Sequence, residues 1–268
     1  MPLRSVRVVL LLTTVLLLAS CGGNSGRSDS ETPLIFAAAS LANVLGDAAE
    51  IYENDTGNRV DFSFGGSIAM ANQIASLGAP ADGVFFVGDK PAQIIAAADL
   101  VPDPGYPNLY SNSLVVIGAV DEDPLDSLDE LVSQRARVAI GDPLLAPAGV
   151  YARQALESAG VWEEISDRAI LTLDVRAAMA AVESGNARYG IVYKTDAVTS
   201  DVVSVVYEIA GVGQQITYMA IPLEGARNAG AAKQFLEFIA FESKTRDLFK
   251  SAGFTMVGVP GQPGPNRR

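Results

Sequence analysis

LIFAAASLANVLGDAAEIYENDTGNRVDFSFGGSIAMANQIASL, residues 34–77, decides the fold. Residues 34–37 are an unbroken apolar run of strand length. Residues 41–53 repeat apolar side chains at helical period and stop near Gly57; 59–64 read as a second strand and 68–77 as a second helix. Strand, helix, strand, helix with short connections implies parallel strands whose faces the helices cover. A serine stands at each strand-to-helix turn: Ser40 ahead of the first helix, and Ser67 after Gly65 and Gly66 ahead of the second. There a hydroxyl lies beside the positive end of a helix dipole and its spare N–H donors, an arrangement that binds oxyanions without a formal charge. Serine is also a preferred helix N-cap, so capping alone would account for either residue taken singly.

The same rhythm continues outward. Residues 83–87 read as a strand and 91–98 as a helix. After a turn-rich segment at 102–108 come strands at 114–119, 137–140, 169–173, 189–192, 202–207 and 216–220. Helices are expected at 128–133, 150–158 and 176–184, a helix pair at 229–240 and 243–251, and a disordered Pro/Gly-rich tail at 259–268. Two α/β lobes follow, and such lobes carry ligands at the carboxyl ends of their strands. The second half offers pieces that match the two serine turns. Gly141-Asp142-Pro143 and Pro147-Ala148-Gly149 lead into one helix, Asp174 is placed to cap the next, and Tyr193 ends a strand with its phenol able to reach a cleft.

Composition narrows the chemistry. The chain of 268 residues has a formal charge of −12, no histidine and one cysteine. Such a field repels nucleic acid and acidic headgroups. Without histidine, Ser-His-Asp and Cys-His sites are excluded, and with them the commonest metal ligand. The cysteine has its own context: Arg4 and Arg7 open the chain, an apolar run follows at 8–18, and Leu18-Ala19-Ser20-Cys21 closes it. The run is too short to span a bilayer and has the proportions of a signal-peptide core. Residues 1–20 are therefore expected to be a signal peptide with a lipobox-like end. Cys21 would be the lipidated N-terminus and 21–32 a flexible Gly/Ser-rich tether, holding the folded part at the outer face of the cytoplasmic membrane. An ordinary signal with a stray cysteine is the plainer alternative.

Six blocks carry a resemblance. Phe36-Ala37-Ala38-Ala39-Ser40-Leu41, Gly78-Ala79-Pro80-Ala81-Asp82, Asn112-Ser113-Leu114-Val115, Gly141-Asp142-Pro143 with Pro147-Ala148-Gly149-Val150-Tyr151, Asp174-Val175-Arg176, and Gly190-Ile191-Val192-Tyr193 with Asp196-Ala197 stand in order between about residues 33 and 253. Together they resemble the molybdate-binding proteins of molybdate ABC transporters. The resemblance implies an α/β, two-lobed, type II periplasmic-binding-protein fold, each lobe a mostly parallel sheet flanked by helices. Residues 33–112 plus 222–258 would form lobe 1 and 113–221 lobe 2, with hinge crossings near 111–113 and 220–222. It further implies a monomer that captures molybdate, and tungstate with it, and delivers the ion to an ABC permease, with no cofactor, no direct cation ligand and no catalysis. Carried over by position, the anion would be held by Ser40 and Ser67 from one lobe, and by the backbone amides of Ala148 and Val175 and the hydroxyl of Tyr193 from the other. Two departures stand out: Gly65-Gly66-Ser67 replaces a serine-richer turn, and Val87-Gly88-Asp89 a Ser-Ala-Asp.

The chemistry of that set agrees with the implied ligand. Every contact is a donor, which suits a fully deprotonated tetrahedral dianion such as molybdate, tungstate or sulfate over phosphate at neutral pH. Sulfate differs from the larger ions only by cavity size. An extracytoplasmic enzyme using Asp82, Asp89 or Asp142 as acid or base is the alternative from another class, and an interaction-only lipoprotein a third.

Overall fold

The computed structural model describes residues 32–102, 108–210 and 215–257. The expected leader, Cys21, the tether up to Glu31 and the tail at 259–268 lie outside the described residues. The chain runs β1 (Leu34–Ala38), a 3-10 turn (Ala39–Leu41), α1 (Ala42–Thr56), β2 (Asp61–Gly65), α2 (Ser67–Leu77), β3 (Gly83–Val87), α3 (Asp89–Ala97), β4 (Asn108–Asn112) and β5 (Leu114–Ala119). It continues with α4 (Asp129–Ser133), β6 (Val138–Gly141), α5 (Pro147–Ser158), α6 (Trp162–Ser166), β7 (Ile170–Thr172), α7 (Val175–Glu183), β8 (Tyr189–Tyr193) and α8 (Lys194–Ala197). The last elements are β9 (Val203–Ile209), β10 (Ile216–Pro222), α9 (Ala229–Phe241), α10 (Ser243–Ser251) and β11 (Thr255–Met256).

Two sheets organise these elements. The first has the order β11-β4-β10-β3-β1-β2 and the second β7-β6-β8-β5-β9. Each has a parallel core, β2-β1-β3 in one and β7-β6-β8 in the other, flanked by antiparallel pairs. Both sheets are therefore mixed rather than mostly parallel. The reason is topological: β10 and β5 carry the chain from one sheet into the other and enter against the direction of the β-α-β core.

Alternation along the strands builds the core of the first sheet. Ile35 and Ala37 of β1, Phe85 and Val87 of β3, and Tyr218 and Ala220 of β10 face one side with α1, α9 and α10. Phe36, Val84, Phe86, Met219 and Ile221 face the other, where Met70, Ala71 and Ile74 of α2 and Ile95 of α3 cover them. A strand covered on both faces reads as a continuous apolar run, which is why 34–37 and 83–87 stand out in the sequence. On α1 the buried residues Val44, Leu45, Ala48 and Tyr52 form one stripe, and Gly57, left-handed at φ 75°, donates its N–H to Glu53 O to end the helix.

The second crossing differs from the expected one. Residues 216–221 were expected in the second lobe, but β10 pairs with β3 and β4 and so belongs wholly to the first sheet. The chain crosses at Ser113, between β4 and β5, and returns between Ile209 and Ile216 rather than at 220–222. Strand β4 lies partly in the segment that reads as turn-rich. Its Asn and Ser residues favour turns, yet pairing with β10 and burial of Leu109 and Tyr110 make it a strand. The short β11, α6 and α8 carry too few residues to show a period. No helix among the described residues is long and apolar enough to cross a membrane.

Candidate anion-binding site

The carboxyl ends of β1 and β2 in the first sheet face those of β6, β7 and β8 in the second. Each strand end leads into the start of a helix or turn, so several sets of spare N–H groups converge. A cleft of about 210 Å³, mouth included, lies between them. Ala38, Ala39 and Ser40, then Gly65, Gly66 and Ser67, line it from the first sheet's side, and Ala146, Pro147, Ala148, Asp174, Val175 and Tyr193 from the second's. All five residues singled out in the sequence, Ser40, Ser67, Ala148, Val175 and Tyr193, meet here, each 3% exposed at most.

Local structure explains each position. Ser67 is the first residue of α2, whose N-cap is Gly66 without a side-chain cap bond, and Ser40 sits inside the 3-10 turn. Neither serine is spent on capping. Pro147 occupies the first position of α5, where its missing N–H costs nothing, and Ala148 follows with an N–H that has no partner within the helix. Gly149 lets this first turn press on the end of β6: a Cβ there would lie 1.8 Å from Gly141 O. Asp174 does cap α7, its Oδ1 accepting from Ala177 N at 3.0 Å, which leaves the Val175 N–H at the cleft-facing start of the helix.

Two of the three hydroxyls have hydrogen-bond partners. Ser67 Oγ accepts the Val87 N–H at 3.3 Å, and Ser40 Oγ lies 3.0 Å from Tyr218 Oη. Tyr193 Oη is buried with no partner among the described residues. Burial first, then the neighbouring Tyr218, Tyr151 and Asp196, push its pKa well above the ordinary phenol value, so it stays protonated. Among the described residues no lysine or arginine lines the cleft, and the one carboxylate that does, Asp174, is engaged as a cap.

Behind the second sheet's contribution lies an ion pair that the sequence reading passed over. Arg176 Nε is 2.7 Å from Asp196 Oδ1, and Asp196 is fully buried. Burial lifts the Asp196 carboxyl to about 7, with Arg176 pulling the other way. The pair joins the first turn of α7, which presents Val175, to α8, which follows Tyr193. Also unforeseen are Asn112 and Tyr218, whose partners are distant in sequence. The carboxylates of the catalytic alternative do not gather: Asp82, Asp89 and Asp142 are all absent from the cleft lining. Asp82 instead accepts from Leu34 N and Asn228 N, and Asp142 from Leu144 N.

Comparison with known proteins places this geometry. The family model described as bacterial extracellular solute-binding protein matches residues 33–255. The chain belongs to this family. As a solute-binding protein it is 35% identical over 229 residues to the molybdate-binding protein ModA of Escherichia coli, covering 83% of this chain and 88% of that one. A Bacillus subtilis protein, YvgL, whose name assigns it as the substrate-binding lipoprotein of an ABC transporter, is 31% identical over 91% of this chain and 95% of its own. Among solved structures, the periplasmic molybdate-binding protein of Azotobacter vinelandii superposes with a TM-score of 0.74 at 21% identity, covering 83% of this chain and 98% of that one. The fold implied by the resemblance, two α/β lobes of the type II periplasmic-binding class, is the fold observed.

Proposed function

We propose that the protein captures molybdate between its two sheets and delivers it to an ABC permease. Ser40, Ser67 and Tyr193 give hydroxyl donors, and Ala148 and Val175 give backbone N–H donors. The observation that carries this reading is the Tyr193 hydroxyl, buried without a partner among the described residues in a cleft that also presents the Ser40 and Ser67 hydroxyls and the starts of α5 and α7. A buried polar group left unpaired costs about 1–3 kcal/mol, and an oxyanion in the cleft removes that cost. A dianion with four acceptor oxygens and no proton satisfies such a site, and the dry helix N-termini outweigh the screened surface charge of −12. The names of the relatives at 33–35% identity, molybdate-binding proteins, support the same assignment. Tungstate, of the same charge and shape, belongs to the same reading.

The remaining parts follow from it. Each sheet with its helices forms a lobe, with a hinge at Ser113. The protein binds without turning its ligand over, acts as a monomer outside the cytoplasm, and is tethered by lipid on Cys21. Calorimetric titration with molybdate, tungstate, sulfate and phosphate tests the assignment. Molybdate should bind one to one and raise the melting temperature, with a stabilisation of about 4 kcal/mol at a thousandfold excess over Kd. Absence of both heat and stabilisation with every oxyanion overturns it. Changing Cys21 to Ser should release binding-competent protein from the membrane fraction.

A further inference from the structure

A buried acid stands close behind two of the proposed anion contacts. Asp196 lies on α8, in the turn that follows Tyr193, and is fully buried. Arg176, next in the chain to Val175, brings Nε to 2.7 Å from Asp196 Oδ1, but the angle is poor, and neither carboxyl oxygen has a well-formed hydrogen bond among the described residues. Arg176 is anchored independently of that contact. Its Nη1 donates to Thr199 Oγ1 at 3.0 Å, and that hydroxyl donates to Asp196 O at 2.7 Å. The cation therefore keeps its place whichever charge the carboxyl carries. Ionised, Asp196 cancels Arg176; protonated, it leaves one positive charge behind the start of α7. Burial lifts this carboxyl to about 7, so both forms are within reach at neutral pH. Its charge also extends to the cleft, since it helps to hold the Tyr193 phenol above its ordinary value.

We propose that Asp196 is a proton-binding site coupled to the cleft: a dianion held by Val175 and Tyr193 draws a proton from solvent onto the Asp196 carboxyl, so that ion and proton are captured together. The inference rests on the oxyanion reading above and deepens it. Two negative charges arriving near a third make that third harder to keep ionised, and a buried site screens the repulsion far less than water does. A group that acts on the Tyr193 hydroxyl acts equally on an anion bound there, and linkage makes the effect reciprocal. The neighbours of Asp196 do not take over this titration. From α7 come Arg176, a permanent cation, and the cap Asp174, whose Oδ1 is bonded to Ala177 N. Strands β8 and β10 bring Tyr193 and Tyr218, phenols that burial keeps protonated. Strand β9 adds Tyr207 and Glu208, the latter bridged to Lys194 at 2.6 Å on the surface, and β5 has no ionisable side chain. The chain has no histidine, the side chain that ordinarily titrates near neutrality.

Calorimetric titration of the protein with molybdate, in buffers of different ionisation enthalpy, counts the protons that accompany the ion. If the ion raises the Asp196 pKa by about one unit, about half a proton should be taken up per ion at pH 7.5. The Kd should then rise about fourfold between pH 7 and pH 8.5, a range in which molybdate itself stays a dianion. Asp196→Asn imitates the protonated acid. It should bind with a Kd independent of pH over that range, exchange no proton, and hold molybdate more tightly than the unmodified protein at about pH 8.5. Heats that do not depend on the buffer, together with a flat Kd in the unmodified protein, overturn the proposal, and these two readings stand even if Asp196→Asn does not fold. Proton uptake that persists in a folded Asp196→Asn variant overturns it as well. Failure of the unmodified protein to bind molybdate at any of these pH values overturns instead the proposed function.

Discussion

Tyr193 carries a buried hydroxyl with no partner among the described residues, and this sets opposite signs for stability and binding in a single substitution. Tyr193→Phe removes a buried unpaired group and should leave the ligand-free melting temperature unchanged or slightly raised. It should also weaken molybdate by about one to two decades, the worth of a donor to a charged acceptor. Ser67→Ala behaves differently, because Ser67 Oγ also accepts the Val87 N–H; it should lose binding and lower the free melting temperature together. Equal thermal shifts for the two variants would mean that Tyr193 Oη has a partner in the free protein. The sequence exposes Tyr193 at a strand end within a block of the family pattern, and Ser67 at a strand-to-helix turn ahead of an apolar helical repeat. Asn112 also stands in a quoted block, but its role and that of Tyr218 stay hidden for a physical reason: their bonds join residues 106 and 178 positions apart, and no local pattern encodes such a pairing.

Helix starts do at the element scale what single donors do at the residue scale, so whatever fixes a helix start also fixes a ligand. Gly149 lets α5 begin against β6, and Gly149→Ala would place a Cβ 1.8 Å from Gly141 O. Backbone cannot give way cheaply there, so the substitution should cost on the order of 3 kcal/mol in chemical denaturation and displace Ala148 from the cleft. For α7 the anchor is the Arg176–Asp196 pair. Arg176→Leu removes the cation that pulls the Asp196 carboxyl down, so the carboxyl should be neutral near pH 7, and loss of this buried link should cost about 1–3 kcal/mol. That loss should grow as pH rises above 7, and adding Asp196→Asn should remove the growth because no carboxyl is left to titrate; a loss independent of pH would mean that packing alone holds the turn. Legibility at this scale follows burial. Strands β1 and β3, covered on both faces, appear as apolar runs, whereas β4, with the sequence NLYSN, becomes a strand only through its pairing with β10.

At the scale of the whole molecule the same logic limits what pattern can reveal. Ile216–Pro222 is buried along its entire length, and an apolar run of that kind fits either sheet; only its register with β3 and β4 assigns it to the first. The second crossing was therefore misplaced, although the alternation of lobes was legible. With the crossings located, the cleft is seen to be shut by backbone. The Ala69 N–H donates to Leu145 O at 2.9 Å across it, and Gly66 approaches so closely that a Cβ would lie 2.6 Å from Leu145 O and 2.7 Å from Leu173 O. The proposed donors, two serines of the first sheet and three groups of the second, would surround one ion only in this arrangement, so ligand binding should favour it over an open form by hinge motion. Small-angle scattering should accordingly give a smaller radius of gyration with molybdate than without. Gly66→Val places side-chain atoms where those two carbonyls must come. It should keep the ligand-free melting temperature, weaken molybdate at least about tenfold, and blunt the contraction. If Gly66→Val binds and contracts like the unmodified protein, the anion is held without this contact and closure is set elsewhere along the hinge.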